Sequence, residues 1–222
     1  MAAAWGVCIV VGSLVGCSAS SDVLGGGVSS TPGERFAVSF SAWMEQILAT
    51  EGEYLSDFER DVVTRAAATG RIEDTDYEEA HSLYASCMEA RGHTDTYHKN
   101  SFGLYVADPK TYEGYDPDDP VAMAAFYAYQ ERWEQDTMEC SAVGGSVEAF
   151  YATQQTNPGM LVNVYEVGAA CLIANGFVDA GYTPADFEAD ALSDFRRAPF
   201  DPFDPVANDC LYAGGSLVVY VP

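Results

Sequence analysis

Carboxylates, three histidines and six cysteines are the side chains through which this chain could do chemistry. Two loops gather aspartates at short spacing: Asp116, Asp118 and Asp119 in DPDDP, and Asp201, Asp204 and Asp209 in DPFDPVAND. Carboxylate oxygens are hard ligands that suit calcium, yet neither loop has the Gly that an EF-hand needs at its sixth position. Asp before Pro also starts helices, because the carboxylate accepts free N–H groups of the first turn and proline lacks the N–H that would be orphaned anyway. Capping is therefore the first reading of both loops, a calcium site the second, and an acidic surface for a basic partner the third. His93, Asp95 and His98 in HTDTYH offer metal-ligand types, but no helix orders them, so they read as exposed loop residues. His81 shares a helix face with Tyr77 and Tyr84 and reads as a core or boundary residue. There is no GxSxG, no HExxH and no phosphate loop, and the many acidic pairs single out no glycosidase couple. Glu45, Glu51, Glu53, Asp57 and Glu59 read as the solvated side of a helix.

The cysteines divide into two groups. Residues 1–16, MAAAWGVCIVVGSLVG, are uncharged and apolar, too short for a comfortable membrane span and of a length that suits an export signal. Leu14-Val15-Gly16-Cys17 resembles the lipobox of bacterial lipoproteins, in which cleavage before the Cys leaves it as a lipidated N-terminus. That resemblance implies lipidation of Cys17, loss of Cys8 with the signal, and anchorage at the extracytoplasmic face of the cell membrane. An export signal ordinarily opens with Lys or Arg, and no base precedes Arg35, so a basic region encoded upstream is expected. Beyond Cys17 stand Cys87, Cys140, Cys171 and Cys210. An even count outside the reducing cytoplasm reads as two disulfides, with three possible pairings, and no pair has the close spacing of a zinc site.

Helices must position these groups. Residues 17–33 read as the anchor and a flexible tether. Thr31-Pro32-Gly33-Glu34 then predicts a helix start, and Phe36, Phe40, Trp43, Ile47, Tyr54, Phe58 and Val62 predict one long helix, kinked near Gly52 and ending at Gly70. A second helix is expected from Asp76 to Arg91, capped by Thr75 and Glu78, and a third from Asp119-Pro120 with Phe126, Tyr129, Trp133 and Cys140 on one face. Further starts fall at Ser146, Asn157-Pro158, Thr183-Pro184 and Asp204-Pro205. Phe102–Val106 and Leu217–Val221 read as short strands that pair with each other.

CMEARG at Cys87 and CLIANG at Cys171 echo one another: Cys, a large apolar residue, Ala fourth and Gly sixth, each followed by an Asp-Pro helix start and another Cys. A Cys one turn before a Gly stop can reach a returning helix, which argues for the pairs Cys87–Cys140 and Cys171–Cys210. Lipobox, polar tether and Cys-bearing helices with Gly five residues on resemble small surface lipoproteins of high-GC Gram-positive bacteria. The resemblance implies location and a disulfide-stapled architecture and supplies no catalytic residue.

Acidic residues number 34 against 10 basic ones, a formal net charge of −24, and 48% of the chain is hydrophobic. The chain can thus build a core beneath a strongly negative surface. Between Thr111 and Phe195, 15 acids accompany one base, Arg132. Such a field repels nucleic acid and anionic headgroups and attracts cations or a basic protein. The expectation is one mostly helical, disulfide-stapled domain over 34–222 with a two-stranded β element, and with two echoing units at 76–140 and 158–212. Its expected role is a membrane-anchored, non-enzymatic binding or structural accessory whose partner is a basic envelope protein, with no cofactor other than possible calcium. The alternative is a cell-envelope hydrolase with unidentified carboxylates.

Overall fold

Local capping chemistry sets most of the helix starts in the computed structural model, which describes residues 31–108, 112 and 114–216. The expected signal, Cys17, the tether up to residue 30 and the strand at Leu217–Val221 lie outside the described residues. Within them the chain forms α1 (Phe40–Thr50), α2 (Asp57–Thr69), α3 (Asp74–Ala90), β1 (Tyr97–Lys99), β2 (Tyr105–Ala107), α4 (Pro120–Ser141), α5 (Gly145–Thr156), α6 (Val164–Ala174), α7 (Pro184–Ala191) and α8 (Pro205–Ala213). The architecture is mostly α with one two-stranded antiparallel sheet. No helix among the described residues is long and apolar enough to cross a membrane.

The long helix expected from Thr31 to Gly70 is two helices with a different beginning. Thr31 and Glu34 make a reciprocal turn, but Arg35 then pairs with Leu161 in an antiparallel bridge. The Phe36 N–H donates to the Met160 carbonyl and the Val162 N–H to that of Glu34, each at 2.9 Å, so the backbone is satisfied in extended form. Ser39 starts α1 instead, its Oγ accepting from the Ala42 N–H. Ser56 and Glu59 form a capping box that starts α2 afresh, which makes the expected kink at Gly52 a break. α3 begins two residues before the expected Asp76, without a side-chain cap, and carries Asp74 and Asp76 where the helix dipole favours acids.

Other starts shift for similar reasons. Gly144, not Ser146, is the N-cap of α5. Asn157 does not restart a helix: its side chain clasps Leu161 through both N–H and C=O, and Asn163 caps α6. The starts at Asp119, Thr183 and Asp204 fall where the sequence places them. Of the strand expected at Phe102–Val106, Tyr105 and Val106 lie in β2 while Phe102 and Gly103 belong to the turn before it, and β2 pairs with β1 in the register Tyr97↔Ala107, His98↔Val106, Lys99↔Tyr105. A tight hairpin closes this pair within eleven residues.

Two apolar clusters result. Phe40, Met44 and Ile47 of α1 meet Val62, Val63 and Ala66 of α2, Tyr77 and Ala80 of α3, and Val147 and Tyr151 of α5, with Leu55, Ile72, Leu104 and Met160 filling between elements. The smaller cluster joins Ala169 and Leu172 of α6, Phe187 of α7, Phe195, and Ala207, Cys210 and Leu211 of α8. Disulfides Cys87–Cys140 and Cys171–Cys210 staple α3 to α4 and α6 to α8, the pairing that the sequence echo indicates. The echo has a backbone basis as well. Gly92 and Gly176 take positive φ, 90° and 74°, which lets the His93 N–H reach the Met88 carbonyl and the Phe177 N–H reach that of Leu172, both at 3.0 Å. Each Cys is thereby held one residue before the carbonyl that closes its helix.

Candidate functional site

Five of the six acids of the DPDDP and DPFDPVAND loops hold backbone. Asp116 Oδ1 accepts from the Asp118 N–H at 3.0 Å, and Asp119 Oδ1 from Val121 at 2.8 Å at the start of α4. Asp201 Oδ1 accepts from Phe203, and Asp204 Oδ1 from Val206 and Ala207 at the start of α8. Asp209 Oδ2 takes the Ser101 N–H at 2.8 Å, tying α8 to the hairpin turn. The two loops thus belong to different helix starts, and among the described residues no three His, Cys, Asp or Glu side chains are grouped to hold a metal ion. Asp116, Asp118 and Asp119 are exposed, and each retains carboxylate capacity toward solvent.

The histidines also part company. His93 is 3% exposed, which corrects the expectation of an exposed loop residue. Its Nε2 lies 2.8 Å from Asp136 Oδ2, its ring meets Tyr129 edge-on at 6.2 Å, and Nδ1 has no hydrogen-bond partner among the described residues. Arg91 donates to Asp136 at 2.7 Å and to Glu139 at 2.6 Å, closing a charged cluster beside Cys140. The hydrogen bonds from His93 and Arg91 hold the Asp136 carboxyl below its ordinary value of 3.8. Because the depressed value belongs to the folded state, this stabilisation is complete above about pH 5 and fades as pH falls through it. Asp136→Asn is therefore expected to lower stability at pH 7 and to flatten its decline below pH 4. Urea midpoints from about pH 7 to 2.5 check this, and an unchanged acid limb would contradict the assignment.

His98 is exposed and pairs with Asp108 at 2.7 Å, and Asp95 accepts from the Trp133 indole at 3.3 Å. HTDTYH therefore fastens a connector to α4 and to its own hairpin. His81 is buried, as its helix face indicates, stacked on Tyr105 at 3.7 Å with Nδ1 2.9 Å from Glu148 Oε1. Around it Tyr77 stacks on Tyr151 at 4.2 Å and accepts the Tyr105 N–H through its hydroxyl. Burial pushes the Tyr77 and Tyr151 phenols up to about 12, so they stay neutral donors and acceptors in a structural network.

Glu59 overturns one more expectation. It is buried, not on a solvated face, with Oε2 accepting from Ser56 and Oε1 from Ser146, each at 2.9 Å. One carboxylate thus serves the N-termini of both α2 and α5. The sequence signals its first role through Ser56-x-x-Glu59, while the second depends on tertiary approach.

A surface feature that sequence reading missed lies at the N-terminal half of α4. The exposed Tyr115 ring meets Phe126 at 5.0 Å, Phe126 lies 5.9 Å from the exposed Tyr127, and Tyr112 supports Phe126 from 5.4 Å. Helical spacing of Phe126 and Tyr129 was visible, but Tyr115 comes from the preceding loop and joins them only in the fold. The strip adjoins Asp116 through the chain itself. No protein-family model, no curated protein and no solved structure matches this chain.

Proposed function

We propose that this protein is an extracytoplasmic lipoprotein, held at the cell membrane through lipidated Cys17, whose folded part is a non-enzymatic binding accessory for a basic envelope protein. The observation that carries this reading is the pairing of all four cysteines beyond Cys17 into two disulfides. Disulfides persist in oxidising compartments, which agrees with export by the segment ending in Leu14-Val15-Gly16-Cys17. Further support comes from the acids. Those that are buried or half-buried, such as Glu59, Asp136 and Glu148, are engaged as caps and pairs, while Asp116, Asp118 and Asp119 face outward. Anionic partners are repelled by such a surface and cationic ones attracted.

Anchorage through acyl chains predicts a clear change in behaviour. The parental protein should enter the detergent phase on phase separation, and Cys17→Ser should remain in the aqueous phase, since it lacks the buried CH₂ groups that retain a lipidated chain. Equal partitioning of the two forms would overturn the anchorage reading.

A further inference from the structure

We infer that the aromatic strip of Tyr115, Phe126 and Tyr127, bordered by Asp116, Asp118 and Asp119, is a docking site for an extended, arginine-bearing peptide segment of a partner protein. This inference rests on the proposed binding role and gives it a place and a chemistry.

Tyr115 and Tyr127 are 51% and 60% exposed, although aromatic rings of this size gain most by burial. The rings are held in place. Tyr115 and Tyr112 pack edge-on against Phe126 from the loop side, and on α4 the Tyr127 ring lies 5.9 Å from that of Phe126. Little side-chain freedom is then lost when a ligand covers them.

The bordering charges decide what the ligand is. Asp116 is already oriented by the Asp118 N–H and Asp119 by the Val121 N–H, so their outer oxygens are placed before any partner arrives. Three carboxylates outweigh the roughly half positive charge of the α4 N-terminus. Glu131, exposed one turn beyond Tyr127, extends the negative border, with Arg132 the single base beside it. A purely apolar partner would strip water from these carboxylates without replacing their hydrogen bonds. An anionic partner would be repelled. An arginine side chain meets both requirements, because its planar guanidinium stacks on an aromatic face and donates in a fork to a carboxylate. An extended segment can present such side chains along the strip in succession.

The test is binding of a fluorescent peptide of alternating Arg and Gly to the full-length protein in detergent, at about 20 and 200 mM salt. Saturable binding that weakens with salt is expected in the parent. Tyr115→Ala with Tyr127→Ala should weaken it about five- to thirtyfold at unchanged net charge, from the loss of two exposed cation–aromatic contacts. Tyr115→Phe with Tyr127→Phe should restore it, which a lost hydroxyl bond would not allow, and the double alanine variant should keep the parental urea midpoint, which a folding defect would not allow. Asn at 116, 118 and 119 should weaken binding and reduce its salt dependence. If the double alanine variant binds like the parent while the Asn variant does not, the aromatic site is wrong and general acidic recruitment stands. Absence of saturable peptide binding at low salt would overturn both. Preference for a neutral wall oligosaccharide over the peptide would likewise overturn the inference in favour of a sugar platform.

Discussion

Replacing Cys171 and Cys210 together by Ala is expected to destabilise the protein by about 4 kcal/mol, the chain-entropy value for closing a loop of this length. The bond spans 39 residues and joins α6 to α8. Its removal should be felt keenly because the cluster it staples is small: Ala169, Leu172, Phe187, Phe195, Ala207, Cys210 and Leu211 are its buried members. A core of this size supplies little apolar burial against the entropy of ordering its helices, the circumstance in which small domains depend on crosslinks. The bond Cys87–Cys140 spans 53 residues, so the same relation gives about 4 kcal/mol there too. Yet α4 also holds to the connector through Asp136–His93, Asp136–Arg91 and Trp133–Asp95. The C171A/C210A pair should therefore lose more cooperativity as well as stability than C87A/C140A. Chemical denaturation followed by far-ultraviolet circular dichroism measures both. A loss below about 1 kcal/mol for C171A/C210A would show that α6 and α8 hold without the staple.

Phe187→Ala is expected to cost about 3–5 kcal/mol, the range for truncating a fully buried aromatic ring. Phe187 has no exposed surface and lies 5.4 Å from the Phe195 ring and 5.7 Å from that of Tyr165. The ring fills a slot walled by backbone. A Cβ at Gly168 would come within 2.5 Å of it and 2.9 Å of the Gly214 Cα, so α6, the end of α8 and the Phe187 ring meet with no room for another carbon. Walls of this kind cannot collapse into the cavity that truncation leaves, which places the cost toward the upper end. Gly168→Ala should be damaging in the parent and less so beside Phe187→Ala, where the ring no longer opposes the new methyl. A double-mutant cycle by denaturant unfolding tests the coupling. Simple additivity of the two substitutions would mean that the ring does not occupy the slot.

The same residues show what the sequence can and cannot display. Asp119-Pro120, Thr183-Pro184-Ala185-Asp186 and Asp204-Pro205 start helices where expected, because a cap and its N–H groups lie within three residues of each other. Thr31 and Asn157 carry equally good cap residues and start none. After Thr31 the backbone of Glu34 and Phe36 pairs with Val162 and Met160, more than 100 residues away, while the Asn157 side chain clasps Leu161 four residues on. The disulfide pairs were legible through the repeated Cys-to-Gly spacing, since Gly92 and Gly176 close their helices by the same backbone bond. Burial of Glu59 and His93 was not, because each is created by a distant element: Ser146 for the first, Asp136 for the second. The aromatic strip was half legible. Phe126 and Tyr129 follow helical periodicity, while Tyr115 reaches Phe126 only through the path of the loop before α4.

Anchorage through Cys17 is the claim on which the location, the tether and the reading of the acidic surface depend. Its most direct test is the mass of the N-terminal peptide of the protein isolated from membranes of cells expressing it. The account predicts a chain that begins at Cys17 and carries a thioether-linked diacylglycerol on that sulfur. A peptide in which unmodified Cys17 still follows Gly16 would contradict it.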